Sequence, residues 1–135
     1  MLDIDYFKKI NDSHGHLAGD QCLSHISKLL KEFSRASDYV FRMGGEEFLI
    51  LITDCEKIMP AMLAEKIRHA VEEHVFRVNN ITLRKTLSIG SSIFPDDTES
   101  FWECVKFADI AMYKAKEAGR NQVINFEESM WEGKE

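Results

Sequence analysis

The sequence predicts an α/β sandwich and not a purely parallel sheet. Segments with strand and helix periodicity alternate along the chain, and Gly44-Gly45 between two runs rich in aromatic and branched side chains marks a hairpin in the middle. Its 135 residues suit one domain with an ordinary hydrophobic core. With 44% hydrophobic and 30% charged residues, and only 7 Gly and 2 Pro, the composition is that of a globular chain without a long linker.

Met1 to Asp5 is apolar up to its acids and reads as the end of a strand. A strand that opens the chain and at once supplies paired acids is expected to be a central one lacking its first half. Tyr6 to Lys9 opens a helical turn. Between Asp20 and Arg35, Cys22, Leu23, Ile26, Leu29, Leu30 and Phe33 recur at spacings of three and four, which predicts a helix with one core-facing stripe. Tyr39 to Met43 and Glu47 to Thr53 are the two hairpin strands. A second long helix runs from about Pro60 to Val75, with Pro60 in its first turn and Leu63, Ile67, Ala70 and Val71 on one face. Phe76 to Leu83, turning at Asn79-Asn80, and Thr86 to Phe94 form a strand pair. The third long helix buries Phe101, Val105, Ala108, Met112 and Ala115, and Gly119 is placed to close it in a left-handed cap. Gln122 to Phe126 is a last strand. The domain is expected to span 1–126, with 127–135 as a frayed tail.

Charge and cysteine usage exclude several functions. Seventeen Lys and Arg against 23 Asp and Glu give a net charge of −6, which disfavours grip on a nucleic-acid backbone but not binding of a nucleotide. Cys22, Cys55 and Cys104 are odd in number, widely spaced and without a CxxC, so neither a disulfide framework nor a zinc site is indicated and reducing cytoplasm is expected. The longest clean apolar run, Phe48 to Ile52, is far below the ~20 residues that cross a bilayer. Neither a membrane segment nor a signal peptide is read.

Asp3 and Asp5 are two apart, so on a strand they share a face, with Ile4 pointing to the other. Close carboxylates repel, and a shared proton or a hard divalent cation such as magnesium or manganese relieves the repulsion. A bare Asp-x-Asp is equally compatible with a strand end whose acids cap the next turn. Lys8 and Asn11 follow at once and supply phosphate and base ligands. Glu46 and Glu47 sit beside the hairpin glycines, where the lack of side chains lets a ligand approach the backbone. The same pattern is also a tight turn with solvated acids. Two carboxylate pairs on neighbouring strands form the layout used for phosphoryl and nucleotidyl transfer.

The runs Asp3-Ile4-Asp5-Tyr6-Phe7-Lys8-Lys9-Ile10-Asn11-Asp12, His14-Gly15-His16, Gly19-Asp20 and Arg42-Met43-Gly44-Gly45-Glu46-Glu47-Phe48 resemble the signature of the GGDEF family, the diguanylate cyclases. Ser88-Ile89-Gly90 and the segment from Ala108 through Lys116, Gly119, Arg120 and Asn121 resemble its later blocks. The resemblance implies a palm-like, nucleotidyl-cyclase-like sandwich with a central, mostly antiparallel sheet flanked by helices. It implies condensation of two GTP into cyclic di-GMP, with Asp3, the Ile4 carbonyl and Glu46 holding magnesium or manganese and Asp5 and Glu47 alongside. Asp3, Glu46, Glu47 and Lys8 would be catalytic. Asn11 and Asp20 would read guanine, the Asp20 carboxylate accepting from donors that adenine lacks. Phe7, Gly44 and Gly45 would line the substrate site, and Lys8, Lys116 and Arg120 would take the outer phosphates. On the third long helix Lys116 and Arg120 are four apart and thus on one face, although two cations at a helix C-terminus are favourable without any ligand.

Arg35-Ala36-Ser37-Asp38 is similar to the family's Arg-x-x-Asp product site, which Lys66 would complete where many members carry arginine. Arginine can fork onto the O6 and N7 edge of guanine, and helix-end arginine with strand-start aspartate is the plain alternative. His14 and His16 are expected as loop residues flanking Gly15, His25, His69 and His74 as exposed helix residues, and Trp102, Trp131 and the methionines as packing. The resemblance implies an Asp-x-Leu-Thr-Gly-Leu-x-Asn-Arg segment ahead of the first strand, joined to an upstream sensor or linker. A homodimer is expected for activity, since each protomer presents one GTP. The competing readings are a non-catalytic module that senses GTP or cyclic di-GMP and a related palm-type polymerase or cyclase.

Overall fold

The computed structural model describes residues 1–131. In chain order it contains β1 (Leu2–Ile4), α1 (Phe7–His14), α2 (His16–Phe33), β2 (Tyr39–Gly44), β3 (Glu47–Leu51), α3 (Met59–Glu73), β4 (Phe76–Val78), β5 (Ile81–Leu83), β6 (Leu87–Ser91), α4 (Phe101–Glu117) and β7 (Gln122–Asn125). Five strands form one sheet in the order β2-β3-β1-β6-β7, antiparallel except for the parallel β6–β7 pair, and β4 with β5 forms a separate hairpin. The predicted sandwich with a mostly antiparallel central sheet is what forms, and β1 is its central strand.

The strand period of two sorts side chains to the two faces. Leu2, Ile4, Phe48, Leu87 and Ile89 enter one core with Ala18, Cys22, Ile26 and Leu30 of α2 and Ala64, Ile67 and Val71 of α3. Leu49 faces the opposite way with Met1, packing on Ala108 and Met112 of α4. On that second side Gly90 permits contact of backbone with backbone: a Cβ there would lie 2.1 Å from Met112 N and 2.2 Å from Ala108 O. Helix α4 therefore lies directly on the strand beside β1.

Local signals place most boundaries. Ser100 caps α4 by accepting from Glu103 N–H, and Gly119, at φ 121°, ends it with Arg120 N–H donating to Ala115 O at 2.9 Å. Four expectations change. The turn after Tyr6 extends into a full helix, α1, and α2 starts at His16, so His14 and His16 are helix-terminal residues joined through Gly15. Register places Gly44 opposite Glu47, so Gly45-Glu46 is the two-residue loop and Gly44 belongs to the strand. Trp102 is 76% exposed, whereas His25 and His74 are half-buried against Phe76. The expected tail is ordered over its described part: Glu128–Met130 form a 3₁₀ turn and Trp131 packs on Phe107, 5.2 Å between ring centres. Residues 132–135 lie outside the described residues.

Candidate active site

The site gathers where β1 ends. Asp3 lies directly opposite Glu47 on β3, a cross-strand pair of like charges that is destabilising by itself. Lys116 of α4 answers it, donating from Nζ to Asp3 Oδ2 at 2.6 Å. Burial is the main reason the Asp3 carboxyl is pushed above its ordinary range, against the pull of Lys116 and with help from Glu46 and Asp5. Glu47 is pushed up likewise, first by burial and then by the charges of Asp3 and Asp109. Ile4 N–H donates to the Glu46 carbonyl at 3.3 Å, which ties the end of β1 to the hairpin turn.

Asp5 has a different role from the one its spacing suggests. It is 1% exposed and accepts from Thr86 Oγ1 at 2.7 Å, Ser88 Oγ at 2.6 Å and Asn121 N–H at 3.0 Å, with Arg120 Nη1 3.8 Å away. The carboxylate is committed to joining β1 to the start of β6 and of β7, and it is no open ligand beside Asp3. Arg120 is not on α4 either, because the helix ends at Glu117. Its guanidinium reaches Asp5 from the turn after Gly119 and lies 4.5 Å over the ring of Tyr6. Lys9 Nζ is 4.6 Å from the same ring. Tyr6, whose left-handed φ of 56° presents the ring outward, is a site residue that sequence reading missed.

A cavity of about 390 Å³ adjoins this cluster, lined by Phe7, Lys8, Asn11, Asp20, Gly45 and Glu46 together with His16, Leu23 and Arg42. The predicted base and phosphate ligands thus share one pocket, although Lys116, Arg120 and Gly44 do not line it. His16 and Arg42 were not expected there. Arg42 donates from Nε to Gly45 O at 3.0 Å and braces the turn that carries Glu46. Gly19 keeps room for Asn11: a Cβ at that position would fall 2.0 Å from Asn11 Oδ1. A larger cavity, about 610 Å³, is lined mainly by apolar residues of β3, α3, α4 and the loops after β3 and β6, and holds none of these groups.

Arg35 and Asp38 do meet. Nη2 and Nε of Arg35 donate to the two carboxylate oxygens at 2.9 and 3.3 Å, and the guanidinium also bonds the carbonyls of Thr53 and Asp54. Arginine holds the Asp38 carboxyl below its ordinary range, chiefly through these hydrogen bonds. Lys66 on α3 is exposed and makes no hydrogen bond or ion pair with either among the described residues.

No cluster of three or more His, Cys, Asp or Glu among the described residues forms a ready-made metal cage. The donor chemistry still fits a hard divalent ion: Asp3, the Ile4 carbonyl and Glu46 offer oxygen only, and the Asp3–Glu47 opposition leaves negative charge that one lysine incompletely offsets. No helix among the described residues is long and apolar enough to cross a membrane.

The sheet carries carboxylates at the end of its central strand and at the adjoining hairpin, beside a polar pocket. Residues 1–122 match the family described as "Diguanylate cyclase, GGDEF domain", and the chain belongs to that family. It is 41% identical over 123 residues to diguanylate cyclase A of Treponema denticola, covering 91% of this chain and 33% of that protein. The chain spans about a third or less of the length of the curated relatives it matches. A form of Pseudomonas aeruginosa YfiN comprising only the GGDEF domain superposes with a TM-score of 0.92 at 32% identity, covering 96% of this chain and 76% of that one. The GGDEF domain of DgcB from Caulobacter crescentus, solved in complex with c-di-GMP, gives a TM-score of 0.81 at 30% identity, covering 92% and 74%.

Proposed function

We propose that residues 1–126 form the catalytic domain of a cytoplasmic diguanylate cyclase that condenses two GTP into cyclic di-GMP with release of two pyrophosphates. The observation that carries the proposal is the Asp3–Glu47 opposition at the end of β1, set beside a pocket that brings Glu46 together with Asn11 and Asp20. The Treponema relative named a diguanylate cyclase and the Caulobacter domain solved with c-di-GMP support it.

In this reading guanine enters the pocket. The Asp20 carboxylate accepts from its N1–H and exocyclic amine, and Asn11 bonds its edge. Phe7 and the bare backbone of Gly45 shape the walls, and Gly44 keeps the strand before the turn free of a side chain. Lys8, Lys116 and Arg120 hold the outer phosphates. Asp3, the Ile4 carbonyl and Glu46 would hold magnesium or manganese, with Glu47 alongside. A divalent ion held there would supply stabilisation of charge on the α-phosphate and on the leaving pyrophosphate. The 3′-hydroxyl oxygen of each GTP bonds to the α-phosphorus of the other as that phosphorus loses its pyrophosphate, two transfers in all, and each hydroxyl proton is released to solvent. Each domain holds one GTP, so two copies must face each other with their hairpin turns converging, brought together by an upstream sensor or linker. Arg35 and Asp38, with Lys66, form the candidate site for product.

The test is conversion of GTP to cyclic di-GMP by the full chain with magnesium. Glu46→Ala is expected to abolish product while circular dichroism stays unchanged, since Glu46 sits half-buried at the turn and belongs to no core cluster. Full activity in Glu46→Ala would sink the metal assignment. Binding of GTP or cyclic di-GMP without turnover in the wild type would favour a sensor.

A further inference from the structure

Arg68 is the one arginine of α3, and its side chain is only 13% exposed. Its Nε and Nη2 donate to the two oxygens of Glu65 at 2.9 and 2.6 Å, and Nη1 donates to Glu72 at 3.1 Å. Pairs three and four residues apart are ordinary on a helix surface and need no further role. One further bond is not of that kind. Nη1 also donates to Asn121 Oδ1 at 2.8 Å, 53 residues along the chain, and Asn121 Nδ2 donates in turn to Glu72 Oε2 at 2.6 Å. Arg68, Glu72 and Asn121 close a ring between α3 and the start of β7.

That ring pins an unusual turn. Arg120 and Asn121 are both left-handed, at φ 66° and 47°, and neither is glycine. Arginine holds such a conformation at a cost unless its surroundings fix it, whereas asparagine tolerates it more readily. Here the Asn121 side chain is held by Arg68 and Glu72, and its N–H by Asp5 at 3.0 Å. The turn so fixed places the Arg120 guanidinium over Tyr6 and beside the end of β1.

We propose that Arg68 is a positioning residue for the nucleotide's phosphates: by holding Asn121 it fixes the Arg120–Asn121 turn and so aims Arg120 at the site. The inference rests on the reading of Arg120 as an outer-phosphate ligand. Lysine cannot replace Arg68, because a single ammonium cannot grip Glu65 with two nitrogens and still supply a third to Asn121.

Calorimetry on the full chain tests this with two probes: 3′-deoxy-GTP, which lacks the attacking hydroxyl, and GMP, which lacks the outer phosphates. Arg68→Ala, Arg68→Lys and Asn121→Ala should each weaken 3′-deoxy-GTP about tenfold, the loss expected for one charged hydrogen bond, and leave GMP within about twofold. Adding Arg68→Ala to Arg120→Ala should bring no further loss, because both act through one guanidinium. Equal weakening of both probes would assign Arg68 a structural role only and overturn the proposal, as would additive losses in the double variant. If Arg120→Ala weakens binding while Arg68→Ala and Asn121→Ala do not, this inference alone falls. If Arg120→Ala is silent, the phosphate reading falls with it. Should Arg68→Ala fail to fold, Arg68→Lys and Asn121→Ala carry the test.

Discussion

Asp5→Ala separates a carboxylate that builds the fold from one that serves chemistry. The substitution removes the common acceptor of Thr86 Oγ1, Ser88 Oγ and Asn121 N–H, and leaves Arg120 without its neighbour at 3.8 Å. Ser88 is fully buried, so its hydroxyl loses its bonding partner out of reach of solvent. Each buried polar group left unpaired costs about 1–3 kcal/mol, and removing one member of a buried charged pair about 3–5 kcal/mol. Arg120 is a third exposed and water can re-solvate it, so the hydrogen bonds dominate and the expected loss is about 3 kcal/mol. An unfolding entropy of roughly 2.1 cal/mol/K per residue converts this into a fall in Tm of about 10 °C for a domain of this size. Asp5→Asn keeps one acceptor oxygen and should lose about half as much. Urea unfolding followed by circular dichroism reads both variants. Stability within about 0.5 kcal/mol of wild type, together with abolished magnesium-dependent turnover, would show that Asp5 is a metal ligand and refute the structural assignment.

Asp20→Ala should weaken GTP binding and narrow the preference for GTP over ATP by roughly ten- to a hundredfold, the worth of hydrogen bonds to a charged acceptor; an unchanged ratio in competitive binding would mean guanine is read elsewhere. Because Asp38 is held below its ordinary range by Arg35, its contribution to stability is present at neutral pH and disappears as pH falls through the depressed value. The destabilisation of Asp38→Asn relative to wild type, followed by thermal unfolding, should therefore shrink on acidification, and a constant gap would contradict the ion pair. Gly90→Ala should destabilise by about 1–3 kcal/mol or more in a denaturant titration, since the atoms in the way belong to the backbone of α4 and cannot rotate aside.

Features set by neighbours in sequence were legible beforehand. The hairpin, the cap at Gly119, the central position of β1 and the apolar stripes of the long helices follow from local chemistry, except that Phe33 and Phe101, at helix ends, are exposed. Helix α1 was read only as a turn, because it buries just Phe7 and Ile10 and its other residues are polar. The pairing of Lys116 with Arg120 on a helical face ignored the cap at Gly119, which stops the helix between them, and the two cations converge on the β1 acids by different routes. Nothing local distinguishes Asp3 from Asp5. Their partners come from residues 44 to 116 positions away, and only the folded sheet assigns Thr86, Ser88 and Asn121 to the one and Glu47 and Lys116 to the other.

That assignment has opposite energetic signs. Asp5 sits among donors that favour its position, so its burial stabilises the fold. Asp3 and Glu47 sit opposite each other with their carboxyls pushed upward, so folding disfavours their charged forms. For a carboxyl whose folded value is raised, this penalty is present at neutral pH, is relieved as pH falls through the raised value, and is gone below the ordinary range. Natural proteins retain such unfavourable charge where function uses it. Here Lys116 offsets part of it from α4, and α4 can come close enough because position 90 carries no side chain. The penalty that remains is what a cation bound as proposed would remove.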